Sequence, residues 1–480
     1  MIVKCNAALG PSLLAMLLGF SGCSSGAGGS GQGGSVSGGA SGRGGETSGG
    51  ATSGSGGVSA KGGAAGSGGS GNGGESGAGG RSGNGGASGT GGGSAGGATG
   101  SGGASGVGGT TSAGGATGKG GAVGTGGANG IDGAAGSGGT SAIDGGSCPA
   151  SAAGDVTATI NNTGSWNDST GTHIQAHGGG FIKVCDTWYW FGEDKTLNTN
   201  GTGNFHAVSC YASKDLTTWE HRNSVVTTQT NTVLNNSNLI IERPKVIYNA
   251  STNLYVMWAH WDMESCSGAS GGYCDSEAVV FTSPTIDGNY TYVDHFQPGG
   301  NGSRDCNLWQ DPDGTAYFVS TGGPGGNAAG DFRDTEVYLL SSDYLTVKST
   351  TKIWANDTLE AYAFWKANGD YYGVSSGQTG WAPNQARYLT STGSITGPWN
   401  TNFTFLGANG STWNSQPTYV IPIVGSQTTT YIYASDIWNS NNLSLSTYLW
   451  LPLTYSNGTW SLSYSAQWSI NLTTGVVSTN

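Results

Sequence analysis

Apolar and polar residues alternate in paired runs along the second part of the chain, and a turn separates the two runs of each pair. The clearest pair is Leu359 to Trp365 and Tyr371 to Val374, which flank the turn sequence Asn368-Gly369-Asp370. Alternating runs around an Asn-Gly turn predict a β-hairpin. Glu360 stands at the entry to this hairpin, where its first strand begins.

The same hairpin pattern recurs at similar intervals. Shorter runs follow each hairpin and supply third and fourth strands, whose signatures are the segments 213–219, 342–345 and 395–399. Four strands per unit and five units predict an all-β, five-bladed β-propeller. A β-sandwich with accidental spacing is the structural alternative.

Polar residues stand at the start of the first strand of each unit. The innermost strands of a propeller begin around its central axis, so these residues should converge at one end of the channel. They are Gln175 and His177, then Glu242, Asp305, Glu360 and Gln416, with Glu193 and Asp194 just past the first hairpin.

Three of these converging residues are carboxylates, which suggests acid–base chemistry. Like charges at close range raise the pKa of one another, and apolar walls add to the shift. A carboxyl group that stays protonated at neutral pH can serve as the general acid of glycoside hydrolysis. Glu360 is the candidate, because Ala361, Tyr362 and Phe364 surround it with apolar surface.

The N-terminal part of the chain has a different composition. Residues 1–22 carry Lys4 and a short apolar run ending just before Cys23, which predicts a lipoprotein-type signal peptide with Cys23 as the lipidated residue. An ordinary signal peptide is the alternative. Residues 23–147 are almost all Gly, Ser, Ala and Thr and predict a disordered, flexible tether. The folded domain is expected over 148–480.

Charge and aromatic content narrow the class of partner. The chain has a formal net charge of -12 and only 10% charged residues, which makes nucleic acid an unfavourable partner. Sixteen Trp and 20 Tyr suit carbohydrate, since apolar sugar faces pack on aromatic rings. We expect no cofactor, no bound metal and a monomer, with membrane contact only through a lipid on Cys23.

Six cysteines remain in the expected domain, an even number that allows up to three disulfides in an exported protein. Cys266 and Cys274 bracket a short Ser/Gly loop and are the favoured pair. A zinc site is the rival reading, but no pair has Cys-x-x-Cys spacing. The six residues are Cys148, Cys185, Cys210, Cys266, Cys274 and Cys306.

An ordered set of motifs across the domain resembles glycoside hydrolase family 43, and more narrowly its exo-β-1,3-galactanase branch. The resemblance implies a five-bladed propeller, inverting chemistry and release of galactose from β-1,3-galactan, the main chain of arabinogalactan. The motifs are Ala176-His177-Gly178-Gly179-Gly180, Trp190-Phe191-Gly192-Glu193-Asp194-Lys195, Ile241-Glu242-Arg243-Pro244-Lys245-Val246, Ser303-Arg304-Asp305, Glu360-Ala361, Thr379-Gly380-Trp381, Asn414-Ser415-Gln416 and 446–453.

The resemblance also implies roles for single residues. Glu360 matches the catalytic acid, Asp305 the carboxylate that tunes its pKa, and Gln416 the residue that holds the attacking water. Glu193 and Glu242 match residues that bind hydroxyls of the terminal galactose. The other implied sugar contacts are Tyr273, Thr379 and Trp381.

The chain departs from the family pattern at three places. Most of the family has an Asp base at the head of the first blade, where this chain has Gln175-Ala176-His177. Tyr362 stands where the branch usually has Pro. The loop between Cys266 and Cys274 occupies the region of the expected sugar-contacting Tyr, for which Tyr273 is the candidate.

Other functions remain as alternatives. An α-L-arabinofuranosidase or β-xylosidase of the same family would normally keep the Asp base that is missing here. A non-catalytic sugar-binding propeller would have no reason to concentrate carboxylates. A serine esterase is suggested by the segment 373–377, but all six His precede Ser375, against the expected chain order. We expect an exported protein, either a cell-surface or outer-membrane lipoprotein or a secreted one.

Overall fold

The computed structural model of the protein describes Cys148 and residues 154–265, 272–324 and 333–479. The predicted signal peptide (1–22) and tether (23–147) lie outside these residues. Within the described residues, secondary structure is β-strands and short 3-10 helices, and no helix is long and apolar enough to cross a membrane. The 3-10 helices are Thr232–Leu234, Pro298–Gly300 and Leu443–Leu445.

Five four-stranded antiparallel sheets follow one another along the chain, each with its strands hydrogen-bonded in sequence order. The first sheet contains β2 (His177–Val184), β3 (Thr187–Asp194), β4 (Ala207–Ser213) and β5 (Glu220–Thr227). The second contains β6 (Leu239–Asn249), β7 (Leu254–Met263), β8 (Glu277–Ser283) and β9 (Thr291–Phe296). The third contains β10 (Asn301–Gln310), β11 (Ala316–Pro324), β12 (Asp334–Leu340) and β13 (Val347–Trp354).

The last two four-stranded sheets continue this order. The fourth contains β14 (Leu359–Ala367), β15 (Asp370–Gly377), β16 (Arg387–Ser391) and β17 (Thr404–Phe405). The fifth contains β18 (Gln416–Val424), β19 (Thr429–Ile437), β20 (Thr447–Ser456) and β21 (Thr459–Leu462). The predicted hairpins correspond to the first two strands of each sheet, and segments 213–219, 342–345 and 395–399 join third strands to fourth strands.

A sixth sheet shows that the predicted five-bladed propeller was wrong. It has three strands, β1 (Thr157–Asn161), β22 (Gln467–Asn471) and β23 (Val477–Thr479), in the order β1-β22-β23. The described chain is therefore an all-β, six-bladed propeller arrangement with five four-stranded sheets and one three-stranded sheet. These strands were missed because they are short, and because β1 pairs with a distant hairpin formed by β22 and β23, which local pattern does not reveal.

The sixth sheet packs against the first and fifth four-stranded sheets. Ala158 and Ile160 of β1 and Trp468 and Ile470 of β22 are buried in one apolar cluster with residues of β2, β3, β18 and β20. Burial of apolar surface stabilises such packing by about 25 cal/mol per Å². The cluster thus joins the beginning and the end of the described domain.

The first strands of the four-stranded sheets, β2, β6, β10, β14 and β18, contact one another in chain order, and β18 also contacts β2. Each has a break in pairing register near its start, so each carries a β-bulge or similar irregularity. Bulges redirect side chains and are common next to active sites. The backbone is left-handed at three of them, with φ of 58° at Gly178, 55° at Arg243 and 56° at Ala361.

The cysteines pair only in part as expected. Cys148 forms a disulfide with Cys185. Cys274 is also disulfide-bonded, and its predicted partner Cys266 lies outside the described residues. Cys210 and Cys306 are free thiols buried in separate apolar clusters, so the possible third disulfide is absent from the described residues.

Candidate active site

The bulged strand starts surround a cavity of about 310 Å³. This volume lies at the lower end of the range for small-ligand sites, roughly 300–1,000 Å³. The cavity wall contains every residue with an expected catalytic or sugar-binding role except Thr379. The lining residues are Glu193, Glu242, Arg243, His260, Tyr273, Arg304, Asp305, Thr321, Glu360, Gln378, Gly380, Trp381, Gln416 and Trp438.

Glu360 is one of two carboxyl groups in the cavity wall with a raised pKa, and the other, Glu193, is paired with Lys195. Burial, and secondly the negative charge of Asp305, raise the pKa of Glu360 well above its ordinary value, although the charge of Arg243 opposes the shift. The side-chain amide of Gln416 donates to Glu360 Oε1 at 3.0 Å. The backbone N–H of Thr379 also donates to this carboxyl group. A carboxyl group with a raised pKa can hold the proton that a general acid must deliver.

Gln416 has all of its hydrogen-bonding groups engaged. Its Nε2 donates to Glu360 and to Ser376 Oγ, the latter at 3.1 Å. Its Oε1 accepts from Arg243 Nη2 at 2.7 Å and from Trp438 Nε1 at 2.8 Å. Because an amide has two donors and two acceptor sites, a water molecule can bind the oxygen only by replacing one of these donors.

Arg243 links several walls of the cavity. Its Nε lies 2.7 Å from Asp305 Oδ2, and its Nη1 donates to the Pro417 carbonyl at 3.2 Å. The guanidinium is buried, and such a charge is tolerated only when it is paired and hydrogen-bonded. The pair holds Asp305 next to the cavity, where its charge acts on Glu360.

Glu242 is held in its ionised form by its neighbours. Burial raises the pKa of Glu242, but the hydrogen bond from His260 and the charge of Lys195 outweigh burial and lower the pKa below its ordinary value. His260 Nδ1 lies 3.4 Å from Glu242 Oε2, and the Tyr273 hydroxyl donates to Glu242 Oε1 at 3.2 Å. The same cavity therefore contains Glu360 and Glu193 with raised pKa values and Glu242 with a lowered one, and general acid and base pairs require such a separation.

His260 is fixed by a carboxylate on each side of its ring. Its Nε2 lies 3.1 Å from Asp262 Oδ2, and the backbone N–H groups of Met263 and Asp275 donate to Asp262 Oδ1. Burial lowers the pKa of His260, but the hydrogen bonds to Asp262 and Glu242 raise it to about 9. His260 is therefore an imidazolium ion at neutral pH.

Among the described residues, the candidate ligands for a metal ion lie in this same cavity. Glu242, His260 and Asp305 each place one potential ligand atom within 4.8 Å of the others. A protonated imidazole has no free lone pair, so His260 would have to lose a proton before it could bind a metal ion. The described site is thus organised by hydrogen bonds between His260 and the carboxylates.

Glu193 lies at the end of β3 beside Glu242. Its Oε2 forms an ion pair with Lys195 Nζ at 2.7 Å, and its Oε1 accepts from the Arg243 backbone N–H at 2.8 Å. Burial raises the pKa of Glu193, Lys195 lowers it and Glu242 raises it further. Glu193 therefore supports the bulge at Arg243 and also faces the cavity.

Aromatic rings form the remaining walls. Trp381 and Trp438 pack edge to face with their centroids 4.8 Å apart, and Lys195 Nζ lies 5.9 Å from the centroid of Trp381. Tyr273 stacks on His260 at 5.7 Å. These rings offer apolar surface to a sugar, next to charged groups that can bind its hydroxyls.

Thr379 differs from the other predicted sugar contacts because its side chain does not line the cavity. Its hydroxyl donates to the Ala382 carbonyl at 2.5 Å and accepts from Asn384 Nδ2 at 2.8 Å. Its backbone N–H is the group that reaches the site, at Glu360.

The head of the first blade is buried behind the site. His177 is fully buried, with Nδ1 3.1 Å from Asp436 Oδ1, and it stacks on Tyr448 at 4.9 Å. Gln175 is also buried and donates to the Ser444 carbonyl. Neither residue lines the cavity.

Sequence reasoning missed His260 and Trp438 as wall residues. Cross-strand pairing could have indicated His260, because His260 on β7 lies directly opposite Glu242 on β6. Trp438 lies just past the end of β19, whose Asp436 is opposite Gln416. The ends of the second strands therefore contribute to the site together with the starts of the first strands.

Comparison with known proteins gives the chain a family. The model of glycosyl hydrolases family 43 matches residues 186–408. A search of curated proteins found no match.

Solved structures of similar proteins extend this comparison. An exo-β-1,3-galactanase from Clostridium thermocellum is 37% identical, with 67% of this chain and 68% of that chain covered and a TM-score of 0.60. An exo-β-1,3-galactanase from Phanerochaete chrysosporium, in a variant with β-1,3-galactotriose, is 34% identical, with 67% and 70% covered and a TM-score of 0.60. A family 43 β-1,3-galactosidase is 35% identical, with 65% and 63% covered and a TM-score of 0.57.

The two exo-β-1,3-galactanases are more than 30% identical to this chain over at least two thirds of their length, and the family model matches the blades that carry Glu193, Glu242, Asp305 and Glu360. The chain therefore belongs to glycosyl hydrolases family 43.

Proposed function

We propose that the protein is an exo-acting, inverting glycoside hydrolase that releases galactose from the β-1,3-galactan main chain of arabinogalactan. The observation that carries the proposal is Glu360, a carboxyl group with a raised pKa in a small aromatic cavity that also contains ionised Glu242. Structures of exo-β-1,3-galactanases at 34–37% identity support the choice of substrate. A structure of the Phanerochaete chrysosporium protein also contains galactose.

Glu360 is the proposed general acid. It gives its proton to the glycosidic oxygen as the bond to the anomeric carbon breaks. Burial and, secondly, the charge of Asp305 keep the pKa of Glu360 raised, and Arg243 holds Asp305 in place. Glu193 and Glu242 are proposed to accept hydrogen bonds from the hydroxyls of the terminal galactose, while Trp381 and Tyr273 pack against its apolar surface.

The attacking water is proposed to be held by Gln416, as the family resemblance implies. In the structure its amide connects Glu360 to Arg243 and Trp438, so water would displace one donor from the amide oxygen. Glu242 is the competing candidate, because an ionised carboxylate accepts a proton far better than an amide does.

The position of the enzyme in the cell is a separate proposal. We propose export through the signal peptide over 1–22 and anchoring through a lipid on Cys23, with residues 23–147 as a tether. A Cys23→Ser variant should then appear in the soluble fraction. Membrane partitioning equal to that of the natural chain would contradict the proposal.

Incubation with β-1,3-galactan tests the proposed function directly. We expect galactose as the only product throughout the time course, because the small cavity favours binding of a chain end over an internal segment. Chromatography of the products is the measurement. A ladder of oligosaccharides would contradict the exo mode, and release of arabinose or xylose from their aryl glycosides without any cleavage of galactan would contradict the substrate.

A further inference from the structure

A chain of hydroxyl groups lies behind Glu360, within the third and fourth four-stranded sheets. The hydroxyl of Tyr362, whose side chain is fully buried, lies 2.6 Å from Thr335 Oγ1 and 3.2 Å from Thr321 Oγ1. Thr335 donates to Asp357 Oδ2 at 3.1 Å. Since Thr321 lines the cavity, these contacts connect the partly buried Asp357 with the wall of the site.

The same network holds both backbone polar groups of Leu359, the residue before Glu360. The Leu359 N–H donates to Asp357 Oδ1 at 3.1 Å. The Leu359 carbonyl has three side-chain donors within hydrogen-bonding distance, Thr321 Oγ1 at 2.8 Å, Tyr362 Oη at 3.0 Å and Gln378 Nε2 at 3.2 Å. The backbone that carries Glu360 is therefore tied to Asp357 on its N-terminal side.

A side chain replaces the missing backbone pairing at the bulge of β14, where Ala361 and Tyr362 have no partner in β15. The register between β14 and β15 breaks between Glu360 and Ala363, and Ala361 has a φ of 56°. The Tyr362 carbonyl accepts from Asn307 Nδ2 at 2.6 Å. A left-handed non-glycine residue costs free energy and persists only where its surroundings hold it.

We propose that Tyr362 and Asp357 are positioning residues for Glu360, holding through Leu359 the bulge that aims the Glu360 carboxyl group into the cavity. This inference rests on the proposed role of Glu360 as general acid.

The direction of hydrogen bonding along the chain depends on Asp357. When Asp357 is ionised, Thr335 donates to it and Tyr362 donates to Thr335. When Asp357 is protonated, it can donate to Thr335, which frees the Tyr362 hydroxyl to donate to the Leu359 carbonyl. The protonated form therefore holds the residue before Glu360 with one more donor.

Several charges act on this carboxyl group. Burial raises the pKa of Asp357 to about 6, opposed by hydrogen bonds from Leu359 and Thr335. Asp334 raises the pKa further and is itself paired with Lys352, while Arg387 lowers it. Arg333 contributes its backbone carbonyl, which accepts from the Asp357 N–H at 2.9 Å. The direction of the hydrogen bonds that link Asp357, Thr335 and Tyr362 is thus expected to reverse near pH 6.

A Tyr362→Phe variant removes only the hydroxyl. We expect kcat on β-1,3-galactan to fall about 10-fold with KM unchanged, a part of the roughly 10²–10⁴-fold that general acid catalysis supplies. The leaving group of an activated aryl β-galactoside needs less protonation. We therefore expect kcat of the variant on that substrate to fall less than about threefold. Thr335→Val interrupts the hydrogen bonds between Asp357 and Tyr362, and it should lower the two rates in the same proportions as Tyr362→Phe.

Tyr371→Phe is the matched control. Tyr371 is a buried tyrosine of the same hairpin whose hydroxyl donates to Asp311 Oδ1 at 2.7 Å, at the end far from Glu360. It should lower the melting temperature without changing the ratio of rates on the two substrates. Equal losses on both substrates in Tyr362→Phe, wild-type kinetics in that variant, or the same change of ratio in Tyr371→Phe would each overturn the proposal.

Asp357→Asn tests the role of Asp357, at the end of the hydrogen-bonded series that lies opposite Tyr362. Its amide can donate permanently to Thr335, so the change of kcat near pH 6 that we expect for the natural protein should be absent from its pH profile. An unchanged profile would exclude Asp357. If the natural chain cleaves another glycoside but not galactan, the proposed substrate fails, while the dependence of each variant on the leaving group still tests the positioning role.

Discussion

Glu360→Gln is expected to slow hydrolysis of β-1,3-galactan at least ~100-fold, because it keeps the shape of the side chain but removes the transferable proton. The fold should survive, since the new amide can still accept from Gln416 Nε2 and the Thr379 N–H. The rate of hydrolysis of an aryl β-galactoside with a good leaving group should fall much less, because its leaving group needs less protonation. Steady-state rates on both substrates are the measurement.

The pH profile gives a second test of the same residue. The pKa of Glu360 is raised in the folded protein, so the acid is protonated below that value and activity is lost as pH rises through it. This alkaline limb should be absent from the residual activity of Glu360→Gln. Glu336→Gln is the matched control, since Glu336 is a buried carboxylate that accepts from Asn301 and Tyr338 away from the cavity. Equal losses on both substrates in Glu360→Gln would assign the acid elsewhere, with Glu242 next.

Gln416→Ala is expected to nearly abolish turnover while galactose binding survives. The substitution removes the proposed water ligand and the donor to Glu360, and it leaves N–H groups of Arg243 and Trp438 without their acceptor. Loss of positioning can cost several kcal/mol of barrier reduction. Turnover and galactose affinity should be measured on the same preparation.

Gln416→Glu and Glu242→Gln separate the two candidates for the base. Gln416→Glu should retain some activity, with the first galactose released as the α-anomer in an NMR time course. Near-normal activity in Gln416→Ala, together with an inactive Glu242→Gln that still binds galactose, would move the base to Glu242. That outcome would agree with the lowered pKa of Glu242. A β-anomer formed first would exclude inversion.

The hairpins and their polar heads could be predicted because strand alternation and turn residues are local properties of the sequence. Glu242 and Glu360, at the heads of predicted strands, both line the cavity. The engagement of Gln416 could not be predicted, since its partner Arg243 lies 173 positions away. Local pattern also did not show that Thr379 would offer its backbone to the site, because the direction of its side chain depends on Ala382 and Asn384.

The bulges explain why spacing alone was insufficient. A register break shifts which face of the sheet a side chain points to, and a left-handed residue such as Arg243 or Ala361 gives no clear signal in sequence. The sixth sheet was missed for a different reason. Its strand β1 joins the hairpin of β22 and β23 only through pairing of distant segments.

This pairing has a consequence for how the domain is made. Thr159 of β1 contacts Ser469 of β22 across 310 positions. At a translation rate of 5–20 residues per second, β1 emerges from the ribosome roughly 15–60 s before its partner. Until then it is an unpaired strand edge with Ile160 exposed to water, which is the kind of segment that chaperones cover and that aggregates when they do not. The core between the first and fifth four-stranded sheets is complete only once residues 467–479 have been synthesised.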